Sequence, residues 1–492
     1  MGYAARVQEA QEVDAGEVEV EVEGSLERQS LLGMLRDRDH TQGSLLVSVL
    51  VIALPSVMTT AFSFGLFQML ELGFLGRLGD HALAAAGSSD QILRQGLLML
   101  PAMGMSVASQ MMIARFVGSG MVDRAEHVAG QSFVLAAALA AFAALTGGLF
   151  PERLVRLVAF DPEVIALATV YVRIVFLTFF AMIAGQIFAG TLSGAGDTTT
   201  SMMTSFMVTP ISIFFEWALT FGHAGFPELG IAGIPLGSAI GGTVGAAISF
   251  YMLFSGRCRV HLRLRHLVPD WGAIRGLVGV AWQPALHMLA RSLMIMFFMI
   301  MAGHLGGKVQ AAYTIGLRLE MLAIMLAFPI ANACATLVGQ NLGAGNVARA
   351  WRAIWVTSGV ELAALWPLAL GVFLFRHQLV SLFATDPEVA AMASQYLVYS
   401  SSILVFYGLY FVAFRTLQAS GDMNSPMLIS VGSALLVGAP LGYYLSTRAD
   451  LGPTGMWIAN VVYALLNAGL MVAWLLTGRW ARRYAPPLRT RS

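Results

Sequence analysis

The stretch LVRLVAFDPEV at 154–164 returns as LVSLFATDPEV at 379–389, 225 positions later. The likeness extends without a gap: residues 154–202 align on 379–427 with 16 of 49 positions identical, and TLSGAGDTTTSM (191–202) faces TLQASGDMNSPM (416–427). The same offset sets GSGMVDRA at 118–125 on GAGNVARA at 343–350. Nearby offsets set GRLG at 76–79 on GHLG at 303–306, Pro55 on Pro284 and Pro101 on Pro329. The chain is a duplication.

Of 492 residues, 57% are hydrophobic and 12% charged, a balance far more apolar than that of a soluble domain. Apolar windows of roughly 20 residues, each able to cross about 30 Å of hydrocarbon, recur twelve times between 45–76 and 455–478. They run continuously, without the alternation of a barrel strand, so helices are expected. Each copy then holds six helices, an even number, and both copies enter the membrane from the same side. The predicted fold is an all-α polytopic membrane protein with twelve transmembrane helices, in two six-helix lobes related by a pseudo-twofold axis along the membrane normal.

The organisation that follows has five parts: a largely disordered acidic tail at 1–42, a first lobe at 43–255, a basic linker at 256–272, a second lobe at 273–480 and a basic tail at 481–492. Residues 25–40 suit a short amphipathic helix on the membrane surface. Arginine concentrates in the loops on the side of the termini and linker. That side is expected to be cytoplasmic, in a plasma (inner) membrane.

A net charge of +1 gives no reason to expect nucleic acid as a partner. The two cysteines, Cys258 and Cys334, form no framework or ligand cluster. His261 and His266 sit in the basic linker, which reads as a solvated loop rather than a metal centre. The GSG and GAG turns read as helix caps, not phosphate cradles. Neither an enzyme motif nor a cofactor motif emerges.

An ionised acid at mid-bilayer costs about 2.5 to 3.5 kcal/mol on insertion scales, so intramembrane acids suggest function. The predicted helices hold five: Glu71, Asp90, Glu216, Glu320 and Glu361. Asp90 has Arg94 one turn on, and Glu320 has Arg318 nearby, so ion-paired scaffolding accounts for both as well as function does. Glu361 is expected near the cytoplasmic end of its helix, within reach of water. Glu71 and Glu216 have no basic residue within a turn and lie at similar setbacks from the external ends of the first and fifth helices. They are the expected coupling pair, because two like charges in a dry site favour uptake of a proton or cation. Against this stands a structural role for Glu71 as a protonated hydrogen-bonding group, with Gln68 one turn before it. Pro55 in the first helix offers a hinge. The 27 methionines suit a pliable cavity or ordinary lipid-facing filler.

The segments FLGRLGDHALAAAG (74–87), TLSGAGDT (191–198), FGHAGFPELGIAG (221–233), YTIGLRLEMLAIMLAFP (313–329) and TLVGQNLGAGNVARA (336–350) resemble the MATE family of multidrug and toxic compound extrusion transporters, over roughly residues 43–480. The resemblance implies a monomeric secondary exporter working by rocker-switch alternating access. Its partners would be amphipathic, often cationic small molecules and the lipid bilayer. No cofactor is implied, and the coupling ion would be a proton or, alternatively, sodium at Glu71 and Glu216. One branch of the family has aspartates at these two positions. Phe67, Ser212 and Ser238 fall where that branch usually has Tyr, Asn and Thr, so with Gln68 they form the supporting cavity. No acid stands where another branch places acids on its seventh and tenth helices, which leaves the first lobe as the expected seat of coupling. The alternatives are a lipid-linked precursor flippase of the wider superfamily and a nontransporting membrane scaffold.

Overall fold

The computed structural model describes residues 38–157, 161–384, 386–449 and 451–484, apart from a few side chains that include Asp90. Most of the acidic tail, nearly all of the amphipathic stretch 25–40, the end of the basic tail and the Asp90 pairing therefore lie outside the described residues.

The first lobe contains α1 (Leu45–Arg77), α2 (80–118), α3 (Val122–Leu149), α4 (Pro162–Leu177 and Phe179–Ala195), α5 (Thr198–Phe221) and α6 (Gly233–Phe254). The second contains α7 (Trp271–Leu305), α8 (Gly307–Gly343), α9 (Val347–Leu374), α10 (Pro387–Ala419), α11 (Asn424–Arg448) and α12 (Gly452–Leu476). Eleven are long and apolar enough to cross a membrane, and the two halves of α4, bent by 50°, make the twelfth span. The chain is an all-helical, multi-pass membrane protein of two six-helix lobes.

The duplication is written into the helix ends. Asp161 caps α4 by accepting from the Glu163 and Val164 amides (2.9 and 3.1 Å), and Asp386, 225 positions on, caps α10 by accepting from the Glu388 amide (2.8 Å). The Val164 amide, then that of Glu163, holds the Asp161 carboxyl below its ordinary range, and the Glu388 amide does the same for Asp386. Asp197 and Asp422 repeat the device at α5 and α11, accepting from the amides of Thr200 (3.0 Å) and Ser425 (3.3 Å). Between these caps and the preceding helices stand Gly196 (φ +88°) and Gly421 (φ +78°), in the left-handed region that glycine enters without cost. The GSG and GAG turns behave alike, with Gly120 at φ +74° and Gly345 at φ +73°.

One apolar cluster fills the first lobe through α2, α3, α4 and α6, and two others fill the second lobe. Each lobe also lends its first helix to the other: the opening half of α1 packs on α8, and α7 packs on α2. Val49, Ile52 and Ala53 form a separate cluster with Ile330, Ala333 and Leu337. The opening half of α1 packs on α5 as well, and the later half packs on α5 and the start of α2.

Candidate functional site

Glu216 on α5 is 1% exposed, and the Ser238 hydroxyl of α6 donates to its Oε1. Glycine permits that contact. Gly233, Gly237, Gly241 and Gly245 recur every fourth residue along α6, and a methyl at Gly237 would overlap the Glu216 backbone. A methyl at Gly241 would overlap the Ser212 side chain, so Ser212 is buried one turn before Glu216 at the same helix contact. Such small-residue stripes let backbones approach where lipid supplies no hydrophobic drive.

Glu71 belongs to α1, which lies along α5. Phe62 stacks on Phe206 with ring centroids 4.4 Å apart, Ser63 and Thr209 hydroxyls meet at 3.2 Å, and Phe74 meets Phe221 edge-on at 5.9 Å. These contacts bracket Glu71 on one helix and Glu216 on the other, at one level. The carboxylates act on each other electrostatically, and Arg94 of α2 acts on Glu216 as well. Sequence proximity sets Arg94 one turn from Asp90, a pairing outside the described residues. A residue 122 positions from Glu216 enters its field only through the fold.

Phe67 is half-buried and Gln68 exposed, each within one turn of Glu71. Pro55 lies in regular α-helix, Leu45–Thr60. Its ring removes the amide that would bond to the Val51 carbonyl, and the Thr198 hydroxyl of α5 reaches that region, at 3.4 Å from Val51 O and 3.0 Å from Ile52 O. The departure from α geometry comes later, in a π-helical turn at Ala61–Leu66. A second π-helical stretch, Ser89–Met99, carries Arg94. Such turns cluster at functional positions because they widen the helix locally.

Two expectations for the second lobe need correction. Glu320 is 4% exposed and is held by three hydroxyls of α10, those of Tyr396 (2.6 Å), Tyr407 (2.7 Å) and Ser400 (3.1 Å), whereas Arg318 is exposed. The spacing 396, 400, 407 places all three on one face of a helix, a signal present in the sequence. Glu361 is not within reach of water: it is fully buried, and neither carboxylate oxygen has a hydrogen-bond partner among the described residues. Gly408 of α10 packs directly on its side chain.

The linker is docked rather than solvated. Gln131 of α3 donates to the carbonyls of His266 (2.8 Å) and Val268 (2.7 Å) and accepts from the Asp270 amide (2.9 Å). Asp123 pairs with Arg265, Glu126 accepts from the His261 amide (3.2 Å), and His127 meets Asp270 at 3.0 Å. His266 is buried, and that desolvation pushes its imidazole below the ordinary range, with Glu126 opposing.

On the linker face the lobes close on each other through contacts related by the duplication. Arg115 of α2 donates to the Ala419 carbonyl through Nε (3.0 Å) and Nη2 (2.7 Å), and Gln340 of α8 donates to the Gly194 carbonyl (3.0 Å). Gly118 lies against Gln340 and Gly343 against Arg115, each too close for any side chain.

The MatE family profile matches residues 55–218 and 284–444, one segment in each lobe. Among curated proteins, the chain is 26% identical over 429 residues to a probable multidrug resistance protein NorM of Thermotoga maritima, covering 85% of this chain and 89% of that one. It is 25% identical over 445 residues to the multidrug resistance protein PmpM of Pseudomonas aeruginosa, covering 88% and 90%. Among solved structures, an outward-facing conformation of a multidrug resistance MATE family transporter matches with a TM-score of 0.83 at 20% identity, covering 90% of this chain and 97% of that one. A MOP superfamily transporter from Pyrococcus furiosus, described as having a binding pocket of reversed polarity, matches with a TM-score of 0.82 at 20% identity, covering 92% and 98%.

Proposed function

Because the chain belongs to the MatE family, we propose that it is a multidrug exporter of the plasma membrane that exchanges protons for amphipathic, often cationic compounds. One observation carries the reading: Glu71 and Glu216 stand at one level on adjoining helices, coupled to each other, with Arg94 acting on Glu216. When both acids are ionised, one arginine leaves the group with a surplus negative charge. A proton relieves it, and so does a cationic cargo, so the two compete for one site.

The lobes meet on the linker face, which positive-inside counting assigns to the cytoplasm. The described state then opens outward. A proton arriving from outside reaches the acids first, and the π-helical turn at Ala61–Leu66 gives α1 a place to change its winding as their charge changes. Ser238 holds Glu216 in place throughout. Sodium is the alternative coupling ion, since carboxylates and hydroxyls serve it too.

Export measured in proteoliposomes under a pH gradient and, separately, a sodium gradient tests the assignment. Transport driven by the pH gradient alone supports protons, and transport driven by sodium alone replaces them.

A further inference from the structure

Arg415 of α10 is 2% exposed, yet no carboxylate among the described residues pairs with it. Its Nη1 donates to Gln418 Oε1 (2.7 Å), and its Nη2 donates to Gln110 Oε1 of α2 (2.5 Å) and to Asn332 Oδ1 of α8. The Nε proton has no acceptor among the described residues. The guanidinium carbon lies 5.4 Å from the centre of the Phe328 ring. Arginine keeps its charge in proteins, so a full positive charge is buried here against neutral amides and one aromatic face. Burying an ion without a counterion costs several kcal/mol.

Arg415 lines a cavity of about 180 Å³ where the two lobes meet, directly inside the Arg115 and Gln340 closure. Gln186 of α4 and Asn332 of α8 also line it, and the side-chain NH₂ of each makes no hydrogen bond among the described residues. The cavity therefore offers one cation and several unspent N–H donors, drawn from both lobes. This polarity is not a product of the duplication. The position equivalent to Arg415 in the first lobe is Gly190, which lies so close to Ser106 of α2 that no side chain fits.

We propose that this cavity is an anion site that receives a carboxylate group of the cargo, so that the exporter handles zwitterionic and acidic aromatic compounds as well as cations. The Arg415 guanidinium supplies the charge, and the Gln186 and Asn332 amides supply further donors. The proposal rests on the export reading only in naming cargo as the source of the carboxylate. An inorganic anion presents the same chemistry.

The test uses the purified full-length protein, with binding of benzoate, benzamide and chloride measured by calorimetry against a gluconate background. Charge-assisted hydrogen bonds are the strong ones, so benzoate is expected to bind about tenfold more tightly than its neutral isostere benzamide. In Arg415→Gln that ratio falls to about one. Asn332→Asp places a carboxylate beside the guanidinium in the anion's stead and gives the same collapse, which keeps the test open if Arg415→Gln does not fold. Chloride binding that Arg415→Gln abolishes and benzoate cannot displace retains the anion site and removes the cargo from it. Equal affinities for benzoate and benzamide in the wild type, with no response to chloride, overturn the proposal. Benzoate that binds but is never exported, while an organic cation is exported, likewise overturns the cargo assignment, whereas failure to export the cation with benzoate binding intact counts against the export reading alone.

Discussion

Arg115 and Gln340 stand 225 positions apart and make the same contact: each reaches from the second helix of its own lobe to a carbonyl at the end of the other lobe's fourth helix, Ala419 and Gly194, themselves 225 positions apart. The pseudo-twofold axis passes between them. The linker face is thus held by two side chains that satisfy helix-end carbonyls left without intrahelical partners. Such contacts are made and broken without burying or exposing an unpaired acid.

Arg115→Ala and Gln340→Ala each remove one half of this closure. Each is expected to weaken it by about 1 to 3 kcal/mol, the cost of leaving buried acceptors unsatisfied. Spin labels on the linker-face ends of α2 and α8 are expected to report a longer or broader distance in either variant. An unchanged distribution in both means that the glycine contacts alone hold the face shut.

Gly237→Leu is expected to push α6 off α5, because any side chain there overlaps the backbone of Glu216. Overpacking typically costs about 1 to 3 kcal/mol, and here it also pulls the Ser238 hydroxyl from the carboxylate. Thermal unfolding in detergent checks it, with Ser238→Ala as the milder control.

Glu320→Ala strands the Tyr396 and Tyr407 hydroxyls in the second lobe and is expected to destabilise by about 2 to 5 kcal/mol, a cavity and two unsatisfied donors together. Glu320→Gln, which still accepts, is expected to cost much less. A similar loss in both variants indicates that the charge, rather than the acceptor, holds the site.

The docked linker is expected to loosen in acid. His266 is held below its ordinary value of 6.5 by burial, so the unfolded segment binds the proton more readily than the folded one. Its contribution is complete above about pH 6.5 and declines as pH falls through that value. Asp123, Glu126, His127 and Arg265 face it, and the two acids moderate the effect. Limited proteolysis of 256–270 is expected to quicken at pH 5.5 relative to 7.5 in the wild type, and to lose that dependence in His266→Asn.

The fold is legible because membrane helices announce themselves by length and hydropathy: the apolar window 45–76 matches α1 at Leu45–Arg77, and the window 455–478 matches α12 at Gly452–Leu476. The DPEV repeat, read only as a sign of duplication, also holds the paired caps at Asp161 and Asp386. What escaped were relations between helices. The effect of Arg94 on Glu216 crosses from α2 to α5, which sequence spacing does not show. The glycines at 233, 237, 241 and 245 spelled out the close approach of α5 and α6, and the hydroxyls at 396, 400 and 407 spelled out the seat of Glu320, but only to a reading that asks what each helix face must meet. Depth along its helix places Glu361 but says nothing of the neighbours that enclose it. Arg415 showed in the repeat alignment as a cation opposite a glycine.

Export from proteoliposomes loaded with a fluorescent organic cation, with pH imposed on either side, tests the central claim most directly when wild type is compared with Glu71→Gln and Glu216→Gln. The account predicts that export by the wild type follows the pH gradient and that each substitution removes this dependence. Export that follows the gradient equally well in both variants would contradict it.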